Sequence, residues 1–369
     1  MRVLLLEPFF TGSHKSWAES LRKHSRHEIE ILSLSGHYWK WRMHGGAVTL
    51  AKKFLDSGIQ PELILASDML DLNVFLSLTR KITHSIPAAL YFHENQLTYP
   101  WSPADADVKY ERDNHYSFIN YTSALCADMV FFNSQYHYDS FFAELPVFLK
   151  AFPDNNEPGS VETIKNKSAV LPLGMDLKKI QSLKPREIKE GRAVILWNHR
   201  WEYDKNPEQF FNALFEIKER GVEFKLVVLG ESYGKHPAIF DEAKERLKEN
   251  ILHFGYVESG QEYAQWLSRC DILPVTSVQD FFGASVVEAM ACDVFPLLPK
   301  RLPYPEHVPQ QWHYTFFYDD EHREFVNRLQ RLIFDVKILR GENIRQFVGK
   351  YDWENMIPLY DDAFSRLAH

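Results

Sequence analysis

The sequence predicts an α/β fold built in two halves, each a parallel sheet with crossover helices. Three observations carry that prediction. Apolar runs of strand length recur from residues 2–7 to residues 294–298, with stretches of helical period between them. In each half one such run passes through a glycine turn into a helix start, at Gly12 and at Gly283. At 369 residues the chain exceeds one ordinary core and suits two.

Residues 2–7 read as a buried strand, followed by Pro8-Phe9-Phe10-Thr11-Gly12-Ser13-His14-Lys15 and a helical pattern through about Lys23. Strand, glycine turn and helix N-terminus together make a phosphate cradle, although neither Gly-x-Gly-x-x-Gly nor a Walker A pattern is present. An ordinary βα turn capped by Ser13 fits as well. Residues 29–34 are a second strand. The segment Gly36-His37-Tyr38-Trp39-Lys40-Trp41-Arg42-Met43-His44-Gly45-Gly46 mixes aromatic and basic residues without a clean period and reads as a loop. Such a loop can stack bases and neutralise phosphates, or its tryptophans can plug a core edge. Strands follow at 63–66 and 87–92. The second ends in His93-Glu94-Asn95-Gln96-Leu97-Thr98-Tyr99-Pro100, a polar cluster where open α/β sheets keep their sites. His93 and Glu94 are adjacent on an extended segment and point apart, so no metal pair is expected. Residues 112–127 read as a helix, 129–132 as a strand ending at the cap Asn133-Ser134, and 169–176 as the last strand of this half. The first domain is set at 1–177 and the charged run 178–192 is taken as linker.

The second domain, 193–345, opens with a strand at 193–197 that runs into Asn198-His199-Arg200-Trp201-Glu202-Tyr203-Asp204-Lys205-Asn206-Pro207. Pro207 suits a first helical turn with Asn206 as its cap. Arg200 and Lys205 are the cations to place on a diphosphate; the alternative is a pair of surface charges partnered by Glu202 and Asp204, worth little energetically. Strands follow at 224–229, 251–254 and 271–275. Then comes Asp280-Phe281-Phe282-Gly283-Ala284-Ser285-Val286-Val287-Glu288-Ala289-Met290-Ala291. Gly283 permits a tight turn, and a helix starting at Ala284 or Ser285 aims free N–H groups at an anion. Asp280 and Glu288, either side of that turn, can hold the vicinal hydroxyls of a ribose or hexose. The same Ser285 and Glu288 also fit a capping box. A strand at 294–298 and a break at Pro303-Tyr304-Pro305-Glu306 follow. Helical patterns at 324–334 and 353–366 close the chain, with the C-terminal helix, 346–369, crossing back to the first domain.

Composition narrows the class. The chain is 45% hydrophobic and 25% charged, as soluble globular proteins are. Its net charge of −8 argues against non-specific nucleic-acid binding by the whole surface. Cys126, Cys270 and Cys292 form neither a metal spacing nor a disulfide framework, which fits a reducing cytoplasm. The apolar N-terminus is too brief for a signal peptide or membrane span.

The spacing Asp280-x7-Glu288, followed by Ala289-Met290-Ala291, resembles the Glu-x7-Glu donor motif of GT-B glycosyltransferases of the group 1, family 4 type. Asp280 replaces the usual Glu, and Asp293 stands where Gly is usual, a position Asp tolerates when the backbone is left-handed. The segments 7–15, 38–46, 92–100 and 198–205, with Tyr304-Pro305-Glu306, resemble the glycosyltransferase-like domain-containing family that includes the tRNA-queuosine mannosyltransferases. The resemblance covers nearly the whole chain. It implies the GT-B architecture, two Rossmann-like domains facing across a central cleft, with GDP-mannose as donor and queuosine in a tRNA with an Asp-type anticodon as acceptor. It implies a retaining reaction without metal or other cofactor. By resemblance Gly12, Ser13, Asn198, Arg200, Lys205, Gly283, Ala284, Ser285 and Glu288 bind the donor, and His93, Arg200, Lys205 and Asp280 are catalytic. His14, Trp39, Trp41, Arg42, Glu94 and Asn95 face the acceptor. Two other readings remain: a hexosyltransferase acting on a lipid or glycan, for which only the scattered basics Lys15, Arg22, Lys23 and Arg26 speak, and a non-catalytic GT-B-like tRNA-binding protein.

Overall fold

The computed structural model describes residues 1–102, 114–183, 191–231 and 236–368. They form two compact units, Met1–Met175 with Trp353–His369, and Asp176–Asp352.

The first unit holds β1 (Arg2–Phe10), α1 (Gly12–His24), β2 (Glu28–Ser35), α2 (Trp39–Ser57), β3 (Leu63–Ser67), α3 (Leu72–Thr83), β4 (Ala88–Phe92), α4 (His115–Cys126), β5 (Met129–Phe132), α5 (Gln135–Lys150), α6 (Gly159–Lys165) and β6 (Ser168–Val170). The strands pair in parallel in the order β2-β1-β3-β4-β5-β6. β3 and β4 are buried along their whole length, because helices cover both faces of a parallel sheet, and so they read as unbroken apolar runs. Phe54, Phe75, Phe92, Phe132 and Phe141 fill one side of the sheet, each contributing roughly 1.5–3 kcal/mol by burial.

The C-terminal α16 (Trp353–Leu367) belongs to this unit. Trp17 Nε1 donates to the Tyr360 hydroxyl at 3.2 Å, which lies 2.9 Å from the Tyr91 hydroxyl. Asp361 accepts from Ser25 Oγ at 2.5 Å and from Arg26 N at 3.0 Å. Trp17 stacks on Tyr91 with centroids 4.7 Å apart, so a column of rings ties α1, β4 and α16 together.

The second unit holds α7 (Leu177–Leu183), β7 (Val194–Trp197), α8 (Pro207–Glu219), β8 (Lys225–Val228), α9 (Ile239–Arg246), β9 (Ile251–Phe254), α10 (Gly260–Arg269), β10 (Ile272–Pro274), α11 (Ala284–Ala291), β11 (Phe295–Pro299), α12 (Tyr304–His307), α13 (His313–Phe316), β12 (Phe317–Tyr318), α14 (His322–Phe334) and α15 (Val336–Leu339). Its strands are also parallel, in the order β12-β11-β10-β7-β8-β9. Asn206 caps α8 through its side chain, with Pro207 at the first turn.

Several local expectations are corrected. The aromatic-basic segment is not a loop from Trp39 onward but the start of α2. Its N-cap is Tyr38 at φ 57°, with no side-chain cap, so the usual start signal is missing. The two glycines that obscure its period are packing sites: a Cβ on Gly45 would lie 2.6 Å from the Trp41 ring, and one on Gly46 would lie 3.1 Å from Pro8. Ser13 lies inside α1 and does not cap it; Thr11 is the N-cap residue. β6 ends at Val170, because Pro172 has no N–H to extend the ladder. The segment expected as linker begins with α7, while residues 184–190 lie outside those described. Residues 112 and 113 of the expected helix 112–127 likewise lie outside them, and α4 begins at His115. Tyr304-Pro305-Glu306 forms the helical turn α12 and not a simple break, because a proline is tolerated in a first turn. No helix among the described residues is long and apolar enough to cross a membrane.

A Cβ on Gly174 would meet the buried Trp353 ring at 2.5 Å. The Gly174→Ala variant is therefore expected to lose about 1–3 kcal/mol, read as a lower urea midpoint. An unchanged midpoint would show that the indole has room to move.

Candidate active site

In both sheets the strand order reverses once, between β1 and β3 in the first unit and between β7 and β10 in the second. At such a reversal the following helices leave on opposite faces and open a crevice beyond the carboxyl ends of the strands. In each unit polar side chains gather at its own reversal.

At the first reversal Glu7 of β1 is fully buried. Its Oε1 accepts from Phe9 N at 2.9 Å and its Oε2 lies 3.1 Å from His14 Nδ1. Burial alone would lower the His14 pKa, but Glu7, with Asp68 and Glu94 beyond it, raises it to about 9. The His14 and His93 rings sit 4.2 Å apart, and Trp17 meets His93 edge-on at 4.6 Å. Burial, with His14 as a charged neighbour, holds His93 well below the ordinary imidazole value. His93 N donates to Asp68 Oδ1 at 2.8 Å, and burial pushes the Asp68 carboxyl well above the usual range. Among the described residues, Glu7, His14 and His93 are the group of metal-binding type whose polar atoms lie within 4.8 Å of one another. In this group each oxygen of Glu7 already carries a hydrogen bond, the pattern of a charged pair.

At the second reversal Lys205 sits between two carboxylates. Its Nζ is 3.1 Å from both Asp204 Oδ2 and Asp280 Oδ1, and it donates to Gln279 O at 2.7 Å. Burial opposes the charge on Asp280, yet Lys205 and His199 hold its carboxyl below the usual range. Tyr304 of α12 donates to Asp280 Oδ2 at 2.6 Å. His307 Nε2 lies 2.7 Å from Phe282 O, so α12 supports the Asp280–Gly283 turn from behind. Gly283 has φ 79°, and a Cβ there would stand 3.0 Å from the Tyr304 ring. The N-terminus of α11 follows at Ala284.

The capping-box alternative fails here. Gly283 is the N-cap residue, and Ser285 Oγ pairs with His199 Nδ1 at 2.9 Å. Glu288 accepts from the Tyr263 hydroxyl at 2.9 Å, and burial pushes its carboxyl up to about 7 against that hydrogen bond. Asn198 Nδ2 donates to Ser285 O at 2.8 Å. Arg200 is half exposed, with NH1 3.5 Å from Glu202 Oε1.

Thus Asn198, Lys205, Asp280, Gly283, Ala284, Ser285 and Glu288 converge in the second unit, and Gly12, Ser13, His14, His93, Glu94 and Asn95 lie on the β1 and β4 ends of the first. Gly12 has φ 49° and open space where a Cβ would stand. Asn95 is buried, and its Oδ1 accepts from Leu97 N and Thr98 N, both at 3.0 Å, which shapes its own turn. Trp39 packs with Met43, Met69, Tyr116 and Ile119, and Arg42 donates to Ser35 O at 3.0 Å. Trp41 is 64% exposed and Tyr38 80%. Sequence reasoning missed Glu7, Asp68, His199, Tyr263, Tyr304 and His307 as site residues. Tyr304 carried a signal in its Tyr-Pro-Glu setting; Tyr263 carried none, because only the fold brings it to Glu288.

Three comparisons bear on this geometry. Residues 2–175 match the family described as tRNA-queuosine alpha-mannosyltransferase N-terminal, and residues 178–342 match glycosyl transferases group 1. A tRNA-queuosine alpha-mannosyltransferase of Drosophila melanogaster is 31% identical over 376 residues, covering 99% of this chain and 96% of that protein. A GDP-mannose:cellobiosyl-diphosphopolyprenol alpha-mannosyltransferase of Xanthomonas campestris is 21% identical over 199 residues, 53% of this chain and 52% of that one. Among solved structures, sucrose-phosphate synthase from Thermosynechococcus elongatus superposes with TM-score 0.70 at 14% identity, covering 100% of this chain and 99% of that one. Anabaena HepE in complex with UDP-glucose gives 0.67 at 16%, covering 99% and 100%. These structures share the GT-B fold with this chain.

Glu288 offers a pH test of the second site. Its folded pKa of about 7 lies above the ordinary 4.5, so the stability it contributes is complete below 4.5 and is lost as pH rises through about 7. Urea unfolding of Glu288→Gln is expected to gain on the wild type steadily from about pH 5 to about pH 8. Curves that stay parallel over that range would mean that the carboxylate is already ionised at the lower end.

Proposed function

The chain belongs to the tRNA-queuosine alpha-mannosyltransferase family of glycosyltransferases, and on that premise we propose that it moves mannose from GDP-mannose to the cyclopentenediol of queuosine in a tRNA anticodon. The observation that carries the acceptor assignment is the match of residues 2–175 to the family's own N-terminal part. The buried Lys205–Asp280 pair at the second sheet's reversal supports a sugar-nucleotide donor.

In this reading Lys205 and Arg200 neutralise the diphosphate as it leaves. The amides at the start of α11, beside Gly283, Ala284 and Ser285, take its oxygens. Glu288 accepts from the ribose hydroxyls, and Asn198 holds the backbone at Ser285 that frames them. Asp280, with Lys205 on one oxygen and Tyr304 on the other, keeps lone pairs for the sugar being transferred. His93 belongs to the catalytic set by resemblance to the family. His14, Glu94, Asn95, Trp39, Trp41 and Arg42 belong to the acceptor side.

The acceptor hydroxyl oxygen bonds to the anomeric carbon as the bond from that carbon to phosphate oxygen breaks. The hydroxyl proton passes to the departing phosphate on the same face, so configuration is retained and no protein nucleophile is required. Catalysis then consists of positioning and charge stabilisation. With an ammonium and a guanidinium on the diphosphate, the reaction needs no metal ion.

The test is incubation with a panel of nucleotide sugars and queuosine-containing tRNA, followed by nucleoside mass spectrometry. Mannosyl-queuosine formed from GDP-mannose alone is expected; transfer only to a lipid or glycan, or donor binding without transfer, would overturn the reading. Within that assay Arg200→Ala is expected to keep its stability, because the side chain is half exposed, and to lose on the order of 10²–10³ in turnover. Lys205→Met is expected to lose turnover and also about 3–5 kcal/mol of stability, since it strands two carboxylates. Full activity in Arg200→Ala would remove that residue from the mechanism.

A further inference from the structure

His199 is a buried polar group at the second reversal that the proposed reaction leaves unused. It follows Asn198 at the end of β7 and is 2% exposed. Its backbone is pinned. The carbonyl accepts from Trp197 Nε1 at 2.9 Å, and a Cβ on Gly230 would run into the same oxygen. Its ring stands edge-to-face with that of Trp197, centroids 5.3 Å apart. Nδ1 lies 2.9 Å from Ser285 Oγ, in the first turn of α11. Nε2 is buried and has no hydrogen-bond partner among the described residues. An imidazole fixed in this way aims its second nitrogen at one place, and a buried polar atom is costly to leave bare.

The neighbours decide what that nitrogen offers. Burial brings the His199 pKa down to about 4 against the pull of Asp280 and Asp204, and Lys205 adds to the lowering, so the ring is neutral. One nitrogen of a neutral imidazole carries a hydrogen and the other a lone pair. A lone pair at Nε2 would need a donor beside it. The donors around Asp280 are already directed elsewhere: Lys205 Nζ to Asp204, Asp280 and Gln279 O, and the Tyr304 hydroxyl to Asp280. Ser285 Oγ can give its hydrogen to Nδ1, which leaves the ring hydrogen on Nε2. His199 then adds one N–H to those at the start of α11, and a set of this kind takes anionic oxygens.

We propose that His199 Nε2–H donates to an oxygen of the donor's diphosphate, with the Ser285 hydroxyl setting the tautomer. The inference deepens the sugar-nucleotide assignment and rests on it. His199 touches the substrate, whereas the Ser285 side chain acts through His199 and is a positioning group. The ring stays neutral and moves no proton, since the departing phosphate takes its proton from the acceptor hydroxyl. Its part is to hold developing charge. A neutral donor suits the place, because a further cation there would be repelled by Lys205.

Two amide side chains separate the two nitrogens. Asn sets its amide where Nδ1 stands and keeps a partner for Ser285; Gln reaches the position of Nε2 and keeps a donor there. The first probe is GDP, followed by calorimetry. His199→Asn is expected to bind GDP at least about tenfold more weakly than the wild type, and His199→Gln to recover affinity to within about threefold. A residue that only braces Ser285 gives the reverse order, and that order would overturn the proposal. GDP-mannose without tRNA is the second probe: a loss seen with it and absent with GDP puts Nε2 on the sugar and overturns the phosphate contact. The tautomer is read in the wild type itself. In protein labelled with nitrogen-15 histidine, the His199 signal, identified by its loss in His199→Gln, is expected to show a hydrogen on Nε2 and to shift when GDP is added. A bare Nε2, or a signal that GDP does not move, overturns the contact. Wild-type protein that takes up no GDP overturns the donor assignment together with the contact. GDP uptake that both substitutions leave unchanged overturns the contact alone.

Discussion

Each sheet of this chain is all parallel, and each reverses its order once. That constraint precedes every other feature of the site. Parallel strands need crossover connections, so every strand releases its chain at the same edge. Where the order reverses, helices diverge and polar residues can stand beside one another without breaking the ladder. Glu7, Asp68 and His93 stand at one such edge, and Asn198, Lys205 and Asp280 at the other. None of these residues forms a site in sequence; the topology brings them together.

The two edges differ in electrostatic character. In the second unit a buried ammonium is set between Asp204 and Asp280, and its position is fixed by Gln279 O and, through Asp280, by Tyr304. Taking such charges out of water is costly, and the geometry offsets the cost only because each has a partner. At the edge of the first unit the raised imidazole of His14 is matched by Glu7, and burial pushes the Asp68 carboxyl well above the usual range.

The strands were legible because a parallel sheet covered on both faces writes itself as short apolar runs, and residues 63–66 and 129–132 show this directly. The turn at Gly283, the cap at Asn206 and the left-handed Asp293, at φ 60°, follow from local chemistry. The start of α2 was not legible, because its cap is a tyrosine and its two glycines make room for Trp41 of the same helix and for Pro8. In the site, residues carried by a recognisable spacing could be named in advance. Partners contributed from distant elements could not: Tyr263 reaches Glu288 across 25 positions, and Glu7 looks like the ordinary end of a strand.

Asp280 shows how such partners change the meaning of a motif. As the shorter acid at a position where Glu is usual, it reads from sequence as a tolerated departure. In the folded chain the shorter side chain brings its oxygens to Lys205 on one side and Tyr304 on the other. A carboxylate bound at both oxygens cannot swing toward a ligand, so whatever it accepts must come to it. Its position is then set by α12, through Tyr304 on the carboxylate and His307 on the backbone at Phe282. The specificity of the second edge therefore depends on a four-residue helical turn that holds the motif at both Asp280 and Phe282.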